Sequence, residues 1–388
     1  MRPPKTHAAS CISSLMLFTL CVVGCTSEEQ IQNGWENEYR GATEGLLFYP
    51  DTYANYWVYT FDPGRSKGIG LRISGKLPSS RYMSLNLYLH ETRSSVGSVI
   101  DTHLIVDDRS EYTVEFLPEG SQAEVPNTLF FDERGGRQSV FLRYYDPSRD
   151  PYGGVELPKV TAFDVETRAV VETPHVRFNL LSSKLIPIVF TKLLAFRHAR
   201  SFAFAGDSKR LVAYRHSGQG YFPNYDADYL LVPIKKDSHE VGILRFRPPT
   251  YARDRSDTSA EVRYWSVSLG TLDTKSPSTL RDRDAVVADD GFVYLLVGEP
   301  TDSSDKTPYN FIRWDIAGKK AVLLYRNLLT SPGFEHAIGQ VPVAREEPGF
   351  INQVYDLLGE FAPKGVVISA EEFRVNGFRA LRETVATE

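Results

Sequence analysis

"RYMSLNLY" runs from Arg81 to Tyr88, and "RYWSVSLG" follows 182 residues later, from Arg263 to Gly270. In the first, Met83, Leu85, Leu87 and Leu89 alternate with Ser84, Asn86 and Tyr88. In the second, Trp265, Val267 and Leu269 alternate with Ser266 and Ser268. A period of two puts each apolar set on one face of an extended strand and scatters it around a helix. Both stretches are therefore strands, and the chain spends the same pattern twice.

The match extends without a gap from residues 81–118 onto 263–300, where 10 of 38 positions are identical. They include Arg81 with Arg263, Tyr82 with Tyr264, Ser84 with Ser266, Asp107-Asp108 with Asp289-Asp290, and Tyr112 with Tyr294. Upstream, "FYPDTYANYW" (Phe48 to Trp57) parallels "YFPNYDADYL" (Tyr221 to Leu230). Downstream, Asn127, Asp132, Gly135 and Arg143 meet Asn310, Asp315, Gly318 and Arg326. Alternating strands alone repeat apolar residues. Polar matches kept in order across three blocks argue an internal duplication.

Other alternating runs lie at 56–61, 71–74, 112–117 and 139–145, with partners at 229–234, 244–247, 293–297 and 321–325. Gly, Pro, Asp and Asn fill the gaps, as turns require. "DERGGR" (Asp132 to Arg137) and "DIAGKK" (Asp315 to Lys320) read as hairpin turns. Many short strands at even spacing predict a mainly β fold: two tandem jelly-roll or β-sandwich domains from a duplication, with a connecting helix and C-terminal helices. The expected boundaries are 1–24 signal, 25–44 anchor and linker, 45–175 first sandwich, 176–215 connecting helix and strands, 216–345 second sandwich and 346–388 a helical segment. Helical signals are Ser182 to His198, Phe350 to Phe361, and Ser369 with Glu372 as a capping pair.

The first half carries "LRISGKLPSSRYMSLNLY" (Leu71 to Tyr88), then Asn127, then "VFLRYYDPSRDPYGGVELPKV" (Val140 to Val160). Over about residues 53 to 164 this resembles a widespread bacterial family, domain of unknown function 1214, often fused to domain 1254. The strand Met83–Tyr88 and the closing Leu142-Arg143-Tyr144-Tyr145-Asp146-Pro147 carry the resemblance. Asn127 is followed by Thr128 where the family has Trp, and no 1254 partner is evident. The resemblance implies a jelly-roll-like β-domain and no established chemistry.

The N-terminus predicts an address. Arg2 and Lys5 precede an apolar run from Ile12 to Val23, which ends in Val22-Val23-Gly24-Cys25. The run is shorter than the roughly 20 residues needed to span a bilayer. It reads as a bacterial secretion signal whose Cys25 is acylated, as in a lipobox. Thr26 after the cysteine favours the outer membrane by the sorting pattern of such proteins. The expected partner is thus a membrane, reached through the lipid anchor, and the expected place the cell envelope. All three cysteines, Cys11, Cys21 and Cys25, lie in this region, which leaves the rest of the chain no thiol pair for a disulfide. Loss of Arg2 and Lys5 takes the net charge from -5 to -7. A mildly acidic protein has no electrostatic footprint for nucleic acid.

Chemistry is sparse. The chain has no nucleophile elbow, phosphate-binding loop, dinucleotide fingerprint or His-Glu-x-x-His. No cofactor is expected. His90 and Asp101-x-His103 are too few ligands for a divalent metal, so no metal is expected either. The candidate is a polar face: Tyr82, Ser84, Asn86, Tyr88 and His90 share one side of a strand, with Arg72 and Ser74 on one neighbour and Arg143 and Tyr145 on another. Flat rings beside planar polar groups suit a carbohydrate or other small polar ligand. Tyr88, His90, Asp101, His103 and Tyr145 are replaced in the second half by Gly270, Leu272, Arg283, Ala285 and Leu328. With Arg143 they form the expected ligand site of the first half. The Arg143 and Arg326 match reads as structural, through pairing with Asp132 or Asp315. The resulting expectation is a lipid-anchored envelope protein that binds a ligand or a protein partner through a sandwich face. The alternative is an enzyme on envelope carbohydrate, with acid and base in the first half.

Overall fold

The computed structural model describes residues 33–40, 49–65, 67–176, 209–216, 222–316, 318–343 and 350–381. The signal, Cys25 and the helix expected over Ser182 to His198 lie outside them. Within Ile31–Glu388, which forms one compact unit, the fold is built from four five-stranded sheets.

In the first half, β1 (Glu36–Arg40), β2 (Ala54–Phe61), β8 (Gln138–Tyr145), β4 (Tyr82–Leu89) and β5 (Ser94–Ile100) form one sheet in that order. The other runs β10 (Val170–Val171), β9 (Lys159–Asp164), β3 (Ile69–Lys76), β6 (Glu111–Pro118), β7 (Thr128–Phe131). Inward residues of the two sheets, among them Trp57, Leu85, Leu142, Ile73 and Phe116, share one core. This is a β-sandwich.

The second half repeats the order except at one edge, where β11 precedes its sandwich in the chain and β10 follows its own. One sheet runs β12 (Tyr214–Arg215), β13 (Ala227–Lys235), β19 (Lys320–Thr330), β15 (Val262–Gly270), β16 (Ser278–Arg281). The other runs β11 (Arg210–Leu211), β20 (Lys364–Ser369), β14 (Glu240–Phe246), β17 (Val293–Gly298), β18 (Asn310–Arg313). Its core holds Trp265, Leu269, Leu323, Leu295 and Val367.

Three expectations change. β20 belongs to the second sandwich, so 346–388 is not a helical tail. Helix α1 (Phe350–Leu358) and helix α2 (Ala370–Asn376) flank a strand that pairs with β14. Ser369 does cap α2, its hydroxyl accepting from the Glu372 amide at 3.0 Å. The turns at 132–137 and 315–320 are not hairpins: β7 pairs in parallel with β6 in one sheet, and β8 lies in the other, so the turn crosses the sandwich. The second pair, β18 and β19, behaves the same way.

The third is register. A bulge between Leu87 and Tyr88 of β4 leaves Val96 of β5 without an opposite residue, whereas β15 and β16 pair regularly. From there the equivalence slips by one. The Asn127 amide donates to the carbonyls of Ile105 (3.0 Å) and Thr113 (3.1 Å), while Asn310 donates to those of Val286 (2.8 Å) and Tyr294 (3.2 Å). Thr113 is thus the counterpart of Tyr294, and Tyr112 that of Val293. A one-residue slip turns side chains to the opposite face. Tyr112 accordingly sits in the sandwich core, and Tyr294 packs outside against Phe378.

Asn127 and Asn310 also accept from the Ile105 and Val286 amides at 3.0 and 2.7 Å. Each asparagine is a buried three-bond clip on backbone. Asn127→Ala and Asn310→Ala are each expected to destabilise the protein by about 1–3 kcal/mol, because buried backbone groups lose partners. Urea unfolding of both variants checks this. A large loss from one and none from the other would mean the clips are not equivalent.

Candidate functional site

The outward face of β4 does not meet solvent. Ser84, Asn86 and Tyr88 are wholly buried, as are Ser266 and Ser268 of β15. The inner sheets of the two halves face each other, and Tyr56, Tyr82 and Tyr145 form one cluster with Tyr264 and Leu328. The expected solvated ligand face is the contact between the sandwiches.

The residues kept by both halves serve this contact reciprocally. The Arg81 guanidinium reaches across to both Asp282 carboxylate oxygens (2.7 and 2.6 Å) and to the Arg263 carbonyl (2.8 Å). Arg263 reaches back to Asp101 (3.1 Å) and to the Arg81 carbonyl (3.3 Å). The Met83 amide donates to Asp101 at 3.0 Å, and the Trp265 amide donates to Asp282 at 2.9 Å. Asp101 is therefore matched by Asp282, not by Arg283, and is not particular to the first half.

An arm before each sandwich does the same. Tyr49 (φ 52°) packs on Leu231, Val322 and Leu324 of the second half. Phe222 (φ 50°) packs on Val58, Tyr88 and Phe141 of the first. Arg326 binds Asp51 (2.5 Å) and the Tyr49 carbonyl (3.1 Å); Arg143 binds Asn86 and the Phe222 carbonyl (3.0 Å). Neither arginine pairs with Asp132 or Asp315. Tyr264 and Ser266 also donate to Asp51 (2.8 and 2.7 Å), while Tyr82 donates to Asp226 (2.6 Å). Gly270 is required where Tyr49 lands, since a Cβ there would sit 2.7 Å from the Tyr49 ring.

The site residues expected from sequence are placed as follows. The Tyr88 hydroxyl donates to the Pro223 carbonyl at 2.6 Å, and Tyr145 stacks edge-on to Tyr56, Tyr82 and Tyr264. His90, nearly buried, bonds Ser139 at 2.8 Å. Arg143 and Asp101 hold the interface. His103 alone of the six is exposed. His90 and His103 lie beyond opposite ends of the β4–β5 hairpin, roughly 20 Å apart at the usual strand rise. Arg72 and Ser74 lie in the outer sheet, away from β4. The structure joins Tyr88, Arg143 and Tyr145, and leaves the histidines apart. Among the described residues no three His, Cys, Asp or Glu side chains converge at metal-binding distance.

Burial raises the Tyr56 and Tyr229 hydroxyls to about 12. It also raises Tyr82, Tyr88, Tyr145 and Tyr264. All six stay neutral at physiological pH. The cluster is chemically a permanent seam.

Among the described residues, a concavity open to solvent lies elsewhere, on the first sandwich. A groove of about 1040 Å³ runs between Ser74–Lys76 of β3, Glu111–Thr113 of β6, and the loops at 105–107, 125–127 and 154–159. Ile105 is 62% exposed, and Lys76 and Glu111 pair at 3.5 Å. Asn127 lines the groove through its clip on Ile105. The sequence marked only Ser74, Asp107, Tyr112 and Asn127 of this set, because loops far apart in the chain build its walls. A smaller pocket of about 340 Å³ in the second half is lined by Pro249, Tyr251, Trp265 and Val287.

No protein-family model and no curated relative matches the chain. A crystal structure of an uncharacterized protein from Burkholderia cenocepacia is similar in fold, with TM-score 0.55 and 10% identity, over 89% of this chain and 85% of that one. A Vibrio parahaemolyticus protein aligns with TM-score 0.43 and 10% identity, over 84% of this chain and 92% of that one.

Proposed function

We propose that the protein is a lipid-anchored component of a bacterial envelope, and that its double sandwich is a rigid binding module rather than a catalyst. The halves descend, in this reading, from one duplicated unit related to domain of unknown function 1214. The observation that carries binding over catalysis is how the polar residues are spent. The shared arginines Arg81, Arg263, Arg143 and Arg326 are consumed in the seam, and the first-half histidines stand about a strand length apart. An acid–base pair needs two titratable groups converging in one concavity. The groove offers a Lys76–Glu111 ion pair at 3.5 Å, further charges and apolar walls, which suit a small polar, carbohydrate or amphiphilic ligand. The anchor rests on Val22-Val23-Gly24-Cys25.

Cys25→Ala is expected to move the protein from the membrane fraction to the soluble one, or to leave it unprocessed. Fractionation with mass spectrometry of the N-terminal peptide reads this. An acyl mass on the variant, or full membrane retention after normal cleavage, would overturn the anchor.

A further inference from the structure

The first described residues lie at the rim of the groove. Asn33 lines it, donates to the Leu157 carbonyl at 2.8 Å, and accepts from the Val160 amide at 3.0 Å. Two residues on, the Trp35 indole donates to the Pro158 carbonyl at 2.6 Å. Gly34 at φ 95° makes the bend between them. This segment is thus pinned to the wall of the groove.

Seven residues separate Cys25 from Asn33, eight Cα steps in all. At full extension they reach at most about 28 Å. A folded body of this length is roughly 50 Å across, taking its radius of gyration as about 20 Å. A tether shorter than the body lets only the side carrying Asn33 meet the surface that holds Cys25. A short tether also holds that side at high effective concentration against the surface.

The groove has the chemistry of a head-group site. Ile105 and Val106 are exposed apolar residues at its edge, 62% and 37% accessible, with Val125 and Leu157 behind them. Lys76 and Lys159 supply cations for phosphate, and Glu111 and Glu156 supply carboxylates for an amine. Both signs beside apolar edges fit a zwitterionic amphiphile better than a free anion.

We infer that the groove face of the first sandwich rests on the bilayer that holds Cys25 and takes lipid head groups. This rests on the lipid-anchor reading above. Beyond Cys25 the chain has no cysteine, so single-cysteine probes are clean. The full acylated protein carrying a fluorophore at Ile105→Cys is reconstituted in vesicles of phosphatidylethanolamine and phosphatidylglycerol with a head-group spin label. Lys159→Cys gives a second probe at the groove, and Val375→Cys, 60% exposed on α2 beyond the far outer sheet, is the control. Quenching at 105 and 159 is expected to exceed that at 375 several-fold. Protein that floats with the vesicles but quenches equally at all three positions overturns the docking face and leaves the anchor standing. Protein that does not float removes the anchor, and the inference with it.

Discussion

Asp51→Ala is expected to destabilise the protein by about 3–5 kcal/mol, the range for stripping one partner from a buried ion pair. Asp51 is wholly buried and belongs to the arm of the first half. Its Oδ2 accepts from Arg326, Tyr264 and Ser266, and its Oδ1 from the Tyr53 amide at 2.9 Å. Removing the carboxylate strands Arg326, which is 2% exposed, without a counter-charge. Asp51→Asn should be milder. Its counterpart in the other arm is already Asn224, and among the described residues no carboxylate pairs with the matching Arg143. That arginine rests on Asn86, a carbonyl, and the faces of Tyr56, Tyr88 and Phe141. Urea midpoints with an unchanged denaturant slope measure the difference. A loss for Asp51→Ala below about 1 kcal/mol, the level of an exposed pair, would mean the arm is not an integral part of the seam.

The second large effect is at Arg81 and Asp282. Asp282→Ala is expected to cost about 3–5 kcal/mol, and Arg81→Met with Asp282→Leu distinctly less, since apolar pairs replace buried ion pairs at little loss. A double-mutant cycle separates the coupling from the single costs. Burial raises the Asp282 carboxyl above its ordinary value, with the Arg81 hydrogen bond and charge opposing but not cancelling this. A carboxyl with a raised folded pKa favours the native state most below its unfolded value of about 4, and that contribution is lost as pH rises through the folded value. Stability should therefore slope downward with pH in that window, and the slope should flatten in the apolar double variant. A double variant as unstable as Asp282→Ala alone would show that this seam needs the charges themselves.

Read alone, the sequence supports the β class and places the main strands. It also set matched residues in the same order in both halves, since alternation and residue order are local properties. β2, β3, β4, β6, β8 and their counterparts fall on the runs read from period two. It likewise singled out Arg81, Arg263, Asn127 and Asn310, whose identity in both halves reflects one structural demand met twice. It missed β5, β9 and β20, where "SSVGSVI" and its like carry little alternation, and it read across the β5 bulge, which spacing alone does not reveal. What the polar face of β4 is for depends on the packing of one sandwich against the other. A strand's alternation says that two faces differ, not what lies against either one. Ser84, Asn86 and Tyr88 would read the same beside water as beside Phe222 and Pro223. The groove was hidden for a related reason: its walls come from Asn33 and five stretches between residues 74 and 159, brought together by sheet pairing that no single stretch encodes.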